Sequence, residues 1–204
     1  FTQAGTGAVA RTAQDKMREV VSVKDFGAVG DGVADDTAAI RAFFAEIADS
    51  GTAGFMPPGI YAYNRNTGGL LSADCDRFVL EAEGATIQCS AYPLSGSGTI
   101  IDFINIRTDY IDLSGLVVDG GCQRVGGRVD SFCTTGGFFN YMQGLVISAS
   151  GGRIDAVETH DCEGIGFTTE TATGLSNVQI GTIRSHNNWM IGIDLRSLTA
   201  FIEN

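Results

Sequence analysis

The chain has little charge, little proline and a single tryptophan. Charged residues make up 18% of its 204 residues, with 3 Pro and 1 Trp, and 24 Asp and Glu outnumber 13 Lys and Arg. The net charge of −11 disfavours nucleic acid and anionic membrane surfaces, since both attract basic faces. The sequence also lacks an apolar run long enough to span a bilayer. We therefore expect no nucleic-acid partner and no membrane insertion.

The cysteines lack the close pairs that are typical of zinc sites. Five of them stand at irregular spacings, at positions 75, 89, 122, 133 and 162. An odd number without paired spacing favours reduced, mostly buried thiols in a protein assembled in the cytosol. A disulfide between Cys122 and Cys133 is the alternative that the spacing leaves open.

Glycine, in contrast, is abundant at 28 residues, which suits tight turns between short strands. From about residue 76, short runs of alternating apolar and polar residues are separated by Gly, Asp, Asn and Ser. Examples are the runs from Ile111 to Leu113 and from Leu116 to Val118. This pattern predicts many short strands.

Part of the chain repeats itself. Residues 156–167 align without gaps on residues 182–193, at an offset of 26 residues. One repeat earlier the offset is 41 at Leu116 and 22 at Gly144, so about 19 extra residues lie between Cys122 and Gln143. A repeat of this length with strands in each unit predicts a solenoid with one protruding loop.

Stacked solenoid coils lie about 4.8 Å apart and bring matched residues into columns. The alignment predicts two inward apolar columns, which are Leu116, Val157 and Ile183, and Leu145, Phe167 and Ile193. It also predicts two outward pairs of opposite charge, which are Glu158 over Arg184 and Glu170 over Arg196. Exposed pairs of this kind contribute under about 1 kcal/mol each, so we assign them no function.

Residues 20–40 join a short apolar strand, a turn with three glycines and an acidic helix start. Asp35 or Asp36 can cap the helix by accepting hydrogen bonds from its first amides. The following apolar residues are spaced by three and four, which predicts an amphipathic helix over about 36–49 that ends near Ser50. The acids are not spaced as in a calcium loop, so we expect no metal there.

This segment, V-V-S-V-K-D-F-G-A-V-G-D-G-V-A-D-D-T-A-A-I, and residues 6–19 before it resemble the start of bacteriophage tailspikes and related virion spikes. Those proteins belong to the pectate-lyase-like group. The resemblance implies an all-β fold, a right-handed parallel β-helix or pectin-lyase-like solenoid with an N-terminal helical neck and a capping amphipathic helix. It also implies a homotrimer whose neck contacts other virion proteins.

We divide the chain into a helical neck or attachment segment at 1–20, the start and cap of the β-helix at 21–75, and stacked coils at 76–204. The helical pattern over residues 8–20 carries one narrow apolar stripe. Such a stripe suits a bundle with symmetry mates, or else a helix packed on its own domain. Because the chain starts at Phe1 and stops within a strand-like pattern, we expect it to be a fragment.

A third column collects polar residues at strand ends. Its members and their neighbours are Asp119, His160 and His186, then Asp161 and Asn187, then Glu163 and Trp189. Polar groups beside an indole can bind a sugar, which makes Trp189, His160, His186 and Asn187 glycan-binding candidates. The carboxyls of Asp161, Glu163 and Asp119 are weak catalytic candidates, since two carboxyls about 5 to 9 Å apart suit glycoside hydrolysis.

Two other interpretations of this column stay open. Repeated polar residues at β-helix turns form ladders that satisfy backbone groups and have no further role. Two histidines with one carboxylate also match a metal triad, but on an outward, widely solvated face we expect neither a metal nor a cofactor. The sequence elements of the polygalacturonase branch, N-T-D, paired Asp, G-H-G and R-x-K, are not found in order, so any catalytic site is expected downstream of Asn204, in another variant of the site, or between subunits.

The resemblance and the coil repeat lead to three alternative hypotheses of function. The first is a virion spike subunit, assembled in the bacterial cytoplasm, that attaches the particle to host cell-surface polysaccharide. The second is a polysaccharide depolymerase, either a hydrolase or a lyase. The third is a purely structural base protein of the particle.

Overall fold

Nearly all strands of the chain run parallel to their neighbours in two sheets. The computed structural model describes residues 2, 4–91, 101–122, 124–125, 128–129, 142–170, 174–196 and 198–202. The larger sheet contains β1 (Val20–Ser22), β3 (Ala53–Phe55), β5 (Leu71–Glu81), β7 (Ile101–Ser114), β11 (Met142–Ala149), β12 (Gly152–Asp155), β14 (Ile165–Thr169), β15 (Leu175–Ile180), β17 (Ile191–Asp194) and β18 (Leu198–Ile202). The smaller sheet contains β2 (Asp31–Asp35), β4 (Gly59–Asn64), β6 (Ala85–Ala91), β8 (Val117–Asp119), β13 (Val157–His160) and β16 (Ile183–His186).

Each complete coil has three strand faces. The first part of β5, from Leu71 to Cys75, pairs with β7 at Ile104 to Thr108, and its second part pairs further along the same strand. In the next coil two shorter strands, β11 and β12, take over these two faces. The smaller sheet supplies the third face, so the predicted parallel β-helix is confirmed.

The predicted columns are confirmed by the pairing. Val157 lies opposite Ile183 in the smaller sheet. In the larger sheet Leu145 lies opposite Phe167, which lies opposite Ile193. Phe167 is completely buried, whereas Ile193, on the last coil, is 41% exposed. The column therefore becomes solvent-accessible where no described coil covers it.

A helix covers the opposite end of the stack. α2 (Thr37–Ser50) matches the helix predicted over about 36–49, and it buries Ile40, Phe43, Phe44 and Ile47. The ring of Phe44 packs on Phe78 of β5 with 5.6 Å between centroids. A Cβ at Gly54 would lie 2.8 Å from the Phe43 ring, so the close approach of helix and sheet requires glycine there. Gly51, with φ of 64°, ends the helix as expected.

The two acids at the helix start have different tasks. Asp35 Oδ1 accepts from the Thr37 amide at 3.0 Å, as a capping residue does. Asp36 occupies the N-cap position, but its side chain makes no capping bond. Its carboxylate accepts instead from the amides of Val29 and Gly30, at 2.6 and 2.9 Å. Asp36 therefore fixes the preceding turn, and Asp35 caps the helix.

The leading segment is less helical than predicted. α1 spans only Ala13–Met17, starts at a capping box of Thr12 and Asp15, and buries no residue. Val20 lies in β1, opposite Ala53, because its β-branched side chain favours a strand once pairing is available. The other short helices are a 3₁₀ helix at Val23–Phe26 and α3 at Arg65–Gly68. Among the described residues, no helix is both long and apolar enough to cross a bilayer.

The inserted loop is described only in part. Cys122 is disulfide-bonded, which contradicts the expectation of a reduced thiol there, while Cys75, Cys89 and Cys162 carry thiols. Cys133, the expected partner, lies outside the described residues. Within the insertion β9 (Arg124–Val125) and β10 (Arg128–Val129) pair antiparallel.

The column of Phe167 and Ile193 provides a test of the stacking. Phe167→Asp should destabilise the fold by more than about 3 kcal/mol, because it places a carboxylate in a closed apolar column. Ile193→Asp, in the same column but 41% exposed, should cost much less. Chemical denaturation of both variants measures the difference. Equal losses would contradict the stacking order.

Candidate functional site

The polar column at the strand ends of the smaller sheet is present, and it is longer than predicted. His160 lies opposite His186 on one side and opposite Asp119 on the other. Asp119 in turn lies opposite Gln88 of β6. We call Gln88, Asp119, His160 and His186 the polar ladder. Gln88 could not be predicted, because the number of residues between Gln88 and Asp119 differs from the 26-residue offset of the repeat.

The first two side chains of the polar ladder are tied together. Gln88 Nε2 donates to Asp119 Oδ2 at 2.7 Å, and the Gly121 amide donates to Asp119 Oδ1 at 2.8 Å. Asp119 is only 7% exposed. The expectation that this column lies on a widely solvated face is therefore wrong at Asp119, whose carboxylate is held at the edge of the core.

The two imidazoles stack on each other. The ring centroids of His160 and His186 are 5.2 Å apart, and the planes differ by 8°. Each ring pairs with its own carboxylate: His160 Nδ1 lies 2.8 Å from Asp161 Oδ2, and His186 Nε2 lies 3.1 Å from Glu158 Oε1. These bonds fix both ring orientations along the ladder.

The residues after the histidines turn the chain out of the strand. Asp161 and Asn187 occupy matched positions and have φ of 52° and 56°. Asp and Asn tolerate this left-handed conformation better than other residues with a side chain. Asn187 is exposed, whereas the neighbouring Asn188 accepts through Oδ1 from the Cys162 amide of the coil below at 2.9 Å. Asn188 is therefore the residue that satisfies a backbone group of the neighbouring coil, and the repeat pattern does not indicate it.

Glu163 and Trp189 follow in matched positions. Glu163 is 6% exposed, and burial raises the pKa of its carboxyl to about 7. Trp189 is half-buried, and its amide donates to the Cys162 carbonyl at 3.0 Å. Part of the indole surface thus stays accessible beside the exposed end of the polar ladder.

Charged residues of the predicted outward pairs also bond to other side chains. Glu158 lies opposite Arg184 as expected, but its carboxylate bonds to His186. Glu170 accepts from Arg107 Nε at 2.5 Å. Arg196 donates to Asp194 at 2.7 Å.

A second polar surface lies on the larger sheet. A groove of about 540 Å³ is lined by Asp74, Cys75, Asp76, Arg107, Thr108, Asp109, Ser148, Ser150 and Glu170. Asp74, Arg107 and Ser148 are register partners on three successive coils. This groove could not be predicted from the repeat, because the coils that form it differ in length.

The structure also brings together three potential metal ligands. A carboxylate oxygen of Asp119, a ring nitrogen of His160 and a carboxylate oxygen of Asp161 all lie within 4.8 Å of one another. This set differs from the triad considered from sequence, since Asp161 takes the place of His186.

The chain is similar to polysaccharide-modifying proteins of known type. The family model described as "Rhamnogalacturonase A/epimerase, pectate lyase-like" matches residues 20–202. Mannuronan C5-epimerase AlgE5 of Azotobacter vinelandii is 30% identical over 179 residues, and the alignment covers 84% of this chain and 17% of AlgE5. The chain thus spans less than a fifth of that relative's length.

A solved structure agrees with the fold. The A-module of mannuronan C-5 epimerase AlgE4 of Azotobacter vinelandii aligns with a TM-score of 0.58 at 21% identity, over 90% of this chain and 50% of that chain. Tailspike protein 3 of bacteriophage CBA120 aligns with a TM-score of 0.37 at 17% identity, over 89% of this chain and 24% of that chain, too low a score to support an argument.

The buried carboxyl of Glu163 gives a pH prediction. Its folded pKa of about 7 lies above the ordinary value of 4.5, so the folded state holds the proton more tightly. The bound proton therefore stabilises the folded state fully below pH 4.5, and this stabilisation is lost as the pH rises through 7. The free energy of unfolding changes by roughly 3 kcal/mol over this range. Glu163→Gln should remove this part of the pH dependence of the free energy of unfolding.

The measurement is urea denaturation at several pH values in buffer containing EDTA. Glu81→Gln, at an exposed carboxylate, is the control and should leave the profile unchanged. A profile of Glu163→Gln that matches the parent chain would contradict the prediction.

Proposed function

The chain belongs to the pectate-lyase-like rhamnogalacturonase A/epimerase family, and on this basis we propose that it binds a polysaccharide. The observation that carries the proposal is the family match over residues 20–202. The relative AlgE5 is named for its action on mannuronan, which is itself a polysaccharide.

We place the binding surface at the exposed end of the polar ladder. His160 and His186 present their stacked rings there, with exposed Asn187 and half-buried Trp189 beside them. Imidazole and amide groups hydrogen-bond to sugar hydroxyls, and an indole face packs on the apolar side of a pyranose. Coils about 4.8 Å apart repeat such partners along the axis, which suits a linear polymer.

Substitution of Trp189 tests this surface. Trp189→Ala should weaken binding about tenfold, since loss of an aromatic contact is worth on the order of 1 kcal/mol beyond its buried area. The probe is a glycan array of bacterial surface polysaccharides with polymannuronate added. Met190→Ala, at a neighbouring side chain that is 51% exposed, is the matched control and should bind as the parent chain does. Parent and Trp189→Ala chains that bind equally would refute the site, and a parent chain that binds no glycan would favour the purely structural role.

A second candidate is modification of the polysaccharide. It is favoured by the identity to named epimerases and by the buried Glu163, whose raised pKa of about 7 is suited to proton transfer near neutral pH. New reducing ends, unsaturated uronates or inverted uronate residues in the same incubations would support an enzyme. Their absence alongside tight binding would leave attachment as the function.

We propose further that the chain is part of a virion spike that attaches its particle to host surface polysaccharide, with other virion proteins bound at the neck. Support comes from the resemblance carried by residues 6–40 and from the exposed apolar side chains of the leading segment. Val9, Met17 and Val20 are 76%, 77% and 51% exposed. Met17 and Val20 border an apolar groove of about 480 Å³ that also includes Phe26. Burial of these side chains against two further copies would form the expected homotrimer.

The assembly is tested by sedimentation velocity at micromolar concentration. The parent chain should sediment as three copies of a 21.4 kDa chain, and Met17→Glu should shift it toward the monomer. Val33→Glu, at an apolar residue outside the leading segment that is 87% exposed, is the control and should stay trimeric. A monomeric parent chain would contradict the proposed assembly.

A further inference from the structure

Three side chains from two neighbouring coils converge at the buried side of the polar ladder. Asp119 stands at the end of β8, His160 at the end of β13 and Asp161 in the turn that follows. His160 Nδ1 lies 3.8 Å from Asp119 Oδ1 and 2.8 Å from Asp161 Oδ2. Ligands about 2.1 Å from a tetrahedral ion lie about 3.4 Å from one another, so small side-chain movements convert this arrangement into a coordination geometry.

These three side chains are shielded from solvent. Their side chains are 10%, 19% and 18% exposed for Asp119, His160 and Asp161, respectively. Two carboxylates so close together in a partly dehydrated place attract a cation strongly, because water screens them little. The sequence expectation of no metal assumed an open, solvated face, and this assumption does not hold here.

Outer hydrogen bonds and ring packing hold Asp119 and His160 in place. The Asp119 carboxylate accepts from Gln88 and from the Gly121 amide, and the His160 ring lies flat against His186. Supporting contacts that orient the ligating side chains are a regular feature of metal sites in proteins. His186 itself pairs with Glu158, so it supports His160 without being a ligand.

We propose that Asp119, His160 and Asp161 bind a divalent transition-metal ion of the zinc type, which clips two successive coils together. One imidazole nitrogen and two carboxylate oxygens suit zinc, and a water completes the tetrahedron. Calcium is disfavoured because it takes six to eight oxygen ligands. A neutral imidazole with its ring proton on Nε2 would coordinate the ion through Nδ1. The site shares His160 with the surface proposed for polysaccharide, but its test needs no polysaccharide.

The test uses zinc chloride alone on the tag-free, full chain after treatment with EDTA and dialysis. Isothermal titration should show one zinc ion per chain, and the thermal midpoint should rise with zinc concentration. His160→Ala and Asp161→Asn should each weaken zinc binding at least about tenfold. Asn tolerates the left-handed backbone of position 161, so Asp161→Asn should still fold even if substitution of the buried Asp119 prevents folding.

Glu81→Gln is the control, because it removes an exposed carboxylate that belongs neither to the three ligands nor to their supporting contacts. It should retain zinc binding within a few-fold of the parent chain. Absence of zinc binding at millimolar zinc would overturn the proposal, as would binding that persists unchanged in both His160→Ala and Asp161→Asn. Calcium binding as tight as zinc binding would also overturn it, since it would indicate a site made of oxygen ligands.

Discussion

The structure depends on the register of hydrogen bonds between parallel strands of successive coils. A slip of one residue in any strand would turn its apolar side chains outward and its polar ones inward. Val157 over Ile183 and Phe167 over Ile193 are two consequences of one register, and the stacked histidines are a third. The core and the polar ladder are thus produced by the same backbone pairing.

This coupling explains how much the sequence could predict. Residues 156–167 and 182–193 repeat without gaps, so the core columns and the partners of His160 could be predicted from spacing alone. Gln88 and the groove around Arg107 could not, because the earlier coils differ in length and their register depends on turns and long, two-face strands. The burial of Asp119 could not be predicted from the sequence either, since it depends on contacts with Gln88 and the Gly121 amide.

Local sequence patterns predicted the structure correctly where the backbone hydrogen bonds are formed within one segment. The helix over Thr37–Ser50 is fixed by its apolar spacing and by Gly51. The helix predicted for the leading segment was too long, because helical spacing takes no account of competing strand pairing. Val20 pairs with β3 and therefore lies in a strand. Asp36 differs from expectation for a similar reason, since the amides of Val29 and Gly30 compete for its carboxylate.

The two ends of the stack are unlike each other. α2 closes one end, whereas the last coil that the structure describes exposes Ile191, Ile193 and Leu195 at 42%, 41% and 37%. The outer face of α2 carries the exposed side chains of Glu46 and Asp49, so the apolar core is not accessible at the closed end. Another chain therefore cannot extend the stack at this end by packing a coil on exposed core residues.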